Sequence, residues 1–216
     1  MRFQPPWGGA FRLQTFVHQT PEALSPEQTE AIRTTILGSS LLGESNLSVQ
    51  FTGTYGFSLM FQREALGEVV ERFPAFAPFL DAALLPDSNA FLLNPLLIQS
   101  GRTVSPHIDQ SLEFYRTHIG CPLAVSVLYV QVPPVLTGGE LRLYHRGAHV
   151  ATVTPRPRVL VRFRGDVVHE VTRVGTDDAS LPAARISLVI EQYRVADAVR
   201  AKMPRLELRD KAGARS

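Results

Sequence analysis

Ala124-Val125-Ser126-Val127-Leu128-Tyr129-Val130-Gln131-Val132, stopped by Pro133-Pro134, leads through the turn Thr137-Gly138-Gly139 into Glu140-Leu141-Arg142-Leu143-Tyr144. This stretch decides the fold class. Its first run is dense in β-branched residues, and its second alternates apolar with polar, as a strand with one buried face does. The prolines cannot donate to a ladder, and the glycines supply the backbone freedom of a tight turn. Outward from here the same texture continues. Strand patterns at 91–99, 104–109, 148–154, 159–163, 167–171 and 185–193 are divided by turn signals such as Ser100-Gly101. That makes about eight strands in the C-terminal two thirds, enough for a double-sheet jelly roll.

Upstream the texture is mixed. Ser25-Pro26-Glu27-Gln28 carries a capping residue, a proline suited to the first helical position and a glutamine that can close a capping box. Ala31, Ile32, Ile36 and Leu37 then form an apolar stripe ending at Gly38, which predicts a helix laid on a sheet. A strand is expected over 46–53, another over 55–60, and a helix over 63–73. Past the breaks at Pro74 and Pro78, Phe76, Phe79 and Leu80 continue its apolar face. The organisation expected is one domain: helical and strand support over 1–88, a jelly-roll core over 89–193, and a C-terminal tail over 194–216, read as a helix or frayed end on the surface.

Composition limits what such a domain does. With 216 residues, 44% of them hydrophobic, the chain can bury a sizeable core. A net charge of +2, from 22 basic and 20 acidic residues, offers no strong field for nucleic acid or a membrane surface. The single cysteine, Cys121, has no partner for an internal disulfide, Met1 to Trp7 lacks the apolar run of a signal peptide, and no stretch is long and apolar enough to span a bilayer. These features predict a cytoplasmic protein.

The chemistry concentrates in a few positions. His107 and Asp109 stand two apart in an expected strand, so they project to the same face. With His169 they make two histidines and one carboxylate, a set that holds non-haem Fe(II) on one face and leaves positions open for ligands. Arg185 follows on the last strand as a planar anion clamp, and Ser187, two residues on, shares its face. Arg173, four residues after His169, is the competing clamp. His118, His145 and His149 show no metal spacing.

Pro106-His107-Ile108-Asp109, Ser126-Val127-Leu128-Tyr129-Val130, Gly138-Gly139-Glu140-Leu141, Val168-His169-Glu170-Val171 and Arg185-Ile186-Ser187, in this order, resemble the Fe(II)- and 2-oxoglutarate-dependent dioxygenases, and most of all their prolyl-hydroxylase-like branch. The resemblance covers about half the chain, residues 89–193. It implies a mainly β fold with flanking helices: a double-stranded β-helix, or cupin-like jelly roll, with the N-terminal helices on its major sheet. It implies Fe(II) on His107, Asp109 and His169. It also implies 2-oxoglutarate on Arg185 with help from the Tyr129 hydroxyl and Ser187, dioxygen as second co-substrate, and ascorbate as an accessory reductant.

The implied reaction is hydroxylation of a C–H bond coupled to decarboxylation of 2-oxoglutarate to succinate and carbon dioxide. Asp109 favours hydroxylation, because halogenating relatives lack that carboxylate. Leu97 and Ile98 stand where many prolyl hydroxylases carry a tyrosine. Glu191 stands where a nucleic-acid demethylase would want a second arginine, which disfavours DNA or RNA as substrate. The expected partner is therefore a small-molecule or peptidyl substrate, with Arg102 and the loop 110–116 bordering the mouth. Two alternatives stay open: a non-redox cupin-like metal enzyme, and a ligand-binding jelly-roll module without turnover.

Overall fold

A computed structural model describes residues 16–45, 48–115 and 119–209. Met1 to Trp7, Arg116 and His118 lie outside the described residues. The strands are β1 (Val17–Thr20), β2 (Gly43–Glu44), β3 (Tyr55–Gly56), β4 (Ser58–Gln62), β5 (Ala90–Ile98), β6 (Val104–His107), β7 (Ala124–Gln131), β8 (Leu141–His145), β9 (Ala148–Val153), β10 (Leu160–Arg164), β11 (Val168–Val171), β12 (Arg185–Tyr193) and β13 (Leu206–Arg209). The α-helices are α1 (Pro26–Leu37), α2 (Leu66–Arg72), α3 (Ala77–Ala83) and α4 (Asp197–Arg200).

The strands form two antiparallel sheets. The larger runs β1-β10-β7-β12-β5-β3-β2, with β4 also on β5 and β13 on β4; the smaller runs β6-β11-β8-β9. The fold is mainly β, a double-stranded β-helix with few helices, as the alternation of 124–144 predicts. Apolar side chains of both sheets, including Val127, Tyr129, Leu141, Leu143 and Phe163, meet in a shared interior.

Helix α1 begins as its sequence dictates. The Ser25 hydroxyl accepts from the Gln28 amide at 3.2 Å, and the Gln28 side chain accepts from the Ser25 amide at 2.9 Å. Ile32 and Ile36 are buried and pack with Leu128 and Val130 of β7, while Ala31 is exposed. Phe76, Phe79 and Leu80 join the same cluster on the outer face of the larger sheet. Each such side chain contributes roughly 1.5–3 kcal/mol by leaving water.

Three expectations are corrected. The segment read as a strand over 46–53 contains a 3₁₀ turn at Val49–Phe51, with Asn46 and Leu47 outside the described residues. Thr52 and Thr54 donate their hydroxyls to the Val49 and Phe51 carbonyls at 2.8 and 2.7 Å, and such local bonds compete with a ladder. The stretch after Arg194, read as a tail, supplies α4 and then β13, which pairs with β4 in register Leu206 to Phe61. Finally, β6 ends at His107, so Asp109 lies beyond the ladder and strand alternation alone does not join the two.

Candidate metal centre and anion clamp

His107 on β6 and His169 on β11 stand directly opposite each other across paired strands, with ring centres 4.3 Å apart. Asp109, just past the end of β6, brings its carboxylate oxygens to 3.3 Å from His107 Nε2 and 3.4 Å from His169 Nε2. One ligand atom from each residue lies within 4.8 Å of the others. These contacts exceed the roughly 2.7–2.9 Å of a charge-assisted hydrogen bond.

The imidazoles are oriented from behind. Nδ1 of His107 meets the Ser105 carbonyl at 2.8 Å, and Nδ1 of His169 meets the Val167 carbonyl at 3.2 Å. A carbonyl only accepts, so each Nδ1 carries the proton and each Nε2 turns a lone pair toward Asp109. His107 Nε2 is buried and has no hydrogen-bond partner among the described residues. Phe51 packs edge-on against His107 and Phe163 against His169, each with centres 4.9 Å apart, so the rings have little room to rotate. Burial raises the Asp109 carboxyl, but positive charge on the imidazoles, His169 first, outweighs it and holds the carboxylate well below its usual range; a metal cation on the neutral rings would supply that charge instead. Two oriented nitrogen lone pairs and one ionised carboxylate are a donor set that fits a divalent first-row metal such as Fe(II).

The second constellation lies on the larger sheet and faces the same cavity. Arg185 is 1% exposed, and its Nη1 donates to the Ser187 hydroxyl at 3.1 Å. Ser187 stands opposite Tyr129 in the β12–β7 register, and the Arg185 guanidinium carbon lies 4.9 Å from the Tyr129 ring centre. Burial lowers the guanidinium's affinity for its proton and pushes the Tyr129 hydroxyl up. Arg185 Nε and the Tyr129 hydroxyl are both buried without a hydrogen-bond partner among the described residues. Leaving such groups unsatisfied costs about 1–3 kcal/mol each, which an anionic ligand would recover.

Gly138-Gly139 explains itself against this arginine. Both residues have positive φ, at 67° and 71°. A Cβ on Gly138 would fall 2.0 Å from the Arg173 carbonyl oxygen, and one on Gly139 would fall 3.3 Å from Arg185 Cδ. Only bare backbone fits here.

No family model and no curated protein sequence matches the chain. Solved structures do match in backbone. A prolyl-4-hydroxylase from Pseudomonas putida aligns at TM-score 0.53 and 19% identity over 85% of this chain and 96% of that one. A protein of the 2OG-Fe(II) oxygenase family from Burkholderia pseudomallei aligns at 0.55 and 15%, over 83% and 85%. A collagen prolyl hydroxylase of Paramecium bursaria Chlorella virus 1, in its 2OG complex, aligns at 0.51 and 12%, over 84% and 97%. The chain has the fold of the 2OG-Fe(II) oxygenases.

Within that fold the two arginines part company. Arg185 lines the cavity, whereas the Arg173 side chain is exposed and its carbonyl lies against Gly138. The cavity lies between the sheets, and Val127, Leu141 and Phe163 supply apolar wall. A second pocket shares Phe51, His107 and Asp109 with it and is lined further by Gln50, Ser111 and Phe114 of the loop expected near the site, while Arg102 lies against Gly53. His145 packs on Phe16, and His149 bonds Thr152, both away from the triad.

Sequence reasoning missed two cavity residues and the role of a third. Asn94 lines the cavity at 4% exposure, and its only signal was a polar residue inside the apolar run 90–98. Phe51 sat in a segment read as a strand. Glu191, noted only for not being an arginine, is 3% exposed on the cavity wall. It accepts from the Ser111 hydroxyl at 2.6 Å, the Ser111 amide at 3.4 Å and the Tyr193 hydroxyl.

Proposed function

We propose that the protein is an Fe(II)- and 2-oxoglutarate-dependent oxygenase that hydroxylates an unactivated C–H bond of an amino acid, a peptidyl residue or a small metabolite. One observation carries this reading: a His107, Asp109 and His169 donor set lines the same cavity as the buried Arg185 and Ser187, with Tyr129 packed against Arg185, and Arg185 Nε and the Tyr129 hydroxyl have no hydrogen-bond partner among the described residues. A non-redox cupin-like enzyme has no use for the second set.

A bound Fe(II) supplies dioxygen activation coupled to decarboxylation of 2-oxoglutarate to succinate and carbon dioxide. The chain's part begins with Arg185, whose guanidinium takes the distal carboxylate of 2-oxoglutarate, with the Tyr129 and Ser187 hydroxyls as further donors. His107, Asp109 and His169 would hold the metal at the cavity they line. Val127, Leu141 and Phe163 keep bulk water from the reacting centre, which protects it from side reactions. Phe51 and the loop carrying Ser111 and Phe114 frame the approach of the substrate.

The test is succinate release from 2-oxoglutarate by protein loaded with Fe(II) without oxygen and then exposed to air, against a chelator-treated control. Succinate above the control supports the oxygenase reading. Absence of both iron and 2-oxoglutarate binding would replace it with a simple jelly-roll binding module.

A further inference from the structure

Strand β12 lines the cavity with Arg185, Ser187, Val189 and Glu191, and the clamp uses only the first two. Six residues of strand separate Arg185 from Glu191, roughly 20 Å along the wall at the usual rise. The cavity thus carries a buried cation at one end of this strand and a buried carboxylate at the other. Among the described residues, Glu191 is bonded only by uncharged groups: the Ser111 hydroxyl and amide and the Tyr193 hydroxyl. A buried carboxylate without a cation is costly even when its oxygens are hydrogen-bonded.

Asn94 stands beside it. In the β5–β12 register Asn94 faces Val189 and Leu92 faces Glu191, so Asn94 and Glu191 are diagonal neighbours on the cavity wall. The Asn94 carboxamide is 4% exposed, lines the cavity and has no hydrogen-bond partner among the described residues. Two adjacent polar groups are therefore built into this part of the wall, one without an ion-pair partner and the other without a hydrogen-bond partner among the described residues. A second carboxylate would not suit this corner, because it would set like charges together. An ammonium group does, since its three donors can be shared between the carboxylate and the carboxamide oxygen.

We propose that Asn94 and Glu191 form the recognition corner for the prime substrate, and that the group bound there is a protonated primary amine. The inference rests on the oxygenase reading and narrows it to amine-bearing substrates. Ser111 and Tyr193 fix the direction of the carboxylate, so the corner also sets which C–H bond of the substrate faces the metal side.

The experiment is calorimetric titration of the whole protein, loaded with redox-inert Zn(II) and saturated with 2-oxoglutarate. The probes are L-leucine, L-lysine, hexylamine and a lysine-containing peptide with a blocked N-terminus, each beside its N-acetylated counterpart. At least one free amine is expected to bind, with acetylation weakening it about tenfold or more, as loss of a charged hydrogen-bond pair does. Binding by leucine or hexylamine without the peptide assigns a free small molecule, and binding by the peptide assigns a protein side chain. Glu191→Gln and Asn94→Ala should each weaken that amine about tenfold while moving 2-oxoglutarate affinity less than about twofold, which also reports an intact fold. Equal binding of free and acetylated probes, or no amine binding beside bound 2-oxoglutarate, overturns the proposal. So does a Glu191→Gln variant that loses 2-oxoglutarate affinity instead, because the corner would then face the co-substrate. Wild-type protein that fails to bind 2-oxoglutarate removes the oxygenase reading, and the inference falls with it.

Discussion

The Arg185 guanidinium carbon lies 4.9 Å from the centre of the Tyr129 ring, yet Arg185 donates to Ser187, and the Tyr129 hydroxyl beside it has no hydrogen-bond partner among the described residues. The ring face steadies the cation while Arg185 Nε and the phenolic hydroxyl stay unspent. Two buried donors with no acceptor, one of them charged, describe half of a binding site whose other half is an anion.

Arg185→Ala should therefore raise the dissociation constant for 2-oxoglutarate by a hundredfold or so, because a bidentate charged contact involves hydrogen bonds worth about 1.5–3 kcal/mol each. Tyr129→Phe should raise it by about tenfold with little change in melting temperature. Arg173→Ala, on an exposed side chain, is expected to leave it unchanged. Titration of 2-oxoglutarate into the Zn(II)-loaded variants checks all three, and an impaired Arg173→Ala beside a normal Arg185→Ala would move the clamp.

Metal affinity should depend on each of the three donors. His107→Ala and His169→Ala are expected to lose stoichiometric Fe(II) or Co(II) binding, and Asp109→Gly to weaken it and abolish hydroxylation. The cobalt absorption spectrum reads the coordination directly. Full stoichiometry in either histidine variant would show that the donor set is not the metal site.

The Gly-Gly turn separates stability from binding. Gly138→Ala places a methyl into the Arg173 carbonyl at a positive φ, so it should lower stability by about 1 kcal/mol for the backbone conformation alone and more for the overlap. Gly139→Ala presses on the Arg185 side chain and should additionally weaken 2-oxoglutarate binding. Melting curves with and without the co-substrate distinguish the two. Equal co-substrate stabilisation in both variants would mean that Arg185 does not feel position 139.

Glu191 predicts a pH dependence of stability. Its carboxyl is pushed up to about 8 in the folded protein, above the ordinary 4.5, so the fold favours the protonated form. The stability this contributes is fully present below the ordinary value and is lost as the pH rises to the shifted one, with a slope of at most about 1.4 kcal/mol per pH unit. Metal-free Glu191→Gln lacks the titration, so its melting temperature should fall less than that of the wild type as the pH rises through that window. Parallel curves would mean that the carboxylate finds a counter-charge in the folded state.

Much of this architecture was written in local pattern. The alternation of residues 140–144, the glycine pair before it and the β-branched run 124–132 are properties of neighbouring residues, so strands β7, β8 and β12 could be placed within a residue or two without a structure. The capping box at Ser25 was equally local. The segment at 46–53 misled because its threonines bond their own backbone, and the stretch at 206–209 because a short strand becomes a strand only when β4 is there to pair with it.

The sequence by itself determined the β class, the histidines and aspartate able to meet at one ion, and the presence of an arginine and a serine on one strand face. The β class and the shared face of Arg185 and Ser187 follow from residue type and from a two-residue period along the chain; the histidines and aspartate were legible as a donor set by type alone, because Asp109 lies past the end of β6. The tertiary structure alone decided that Arg185 is buried and Arg173 exposed, that Tyr129 faces Ser187, and that Asn94 lies diagonal to Glu191 across the cavity wall. These depend on the register between strands that are 30 to 100 residues apart in the chain, and register is set by how two whole sheets bury their apolar faces together, a property no local stretch carries.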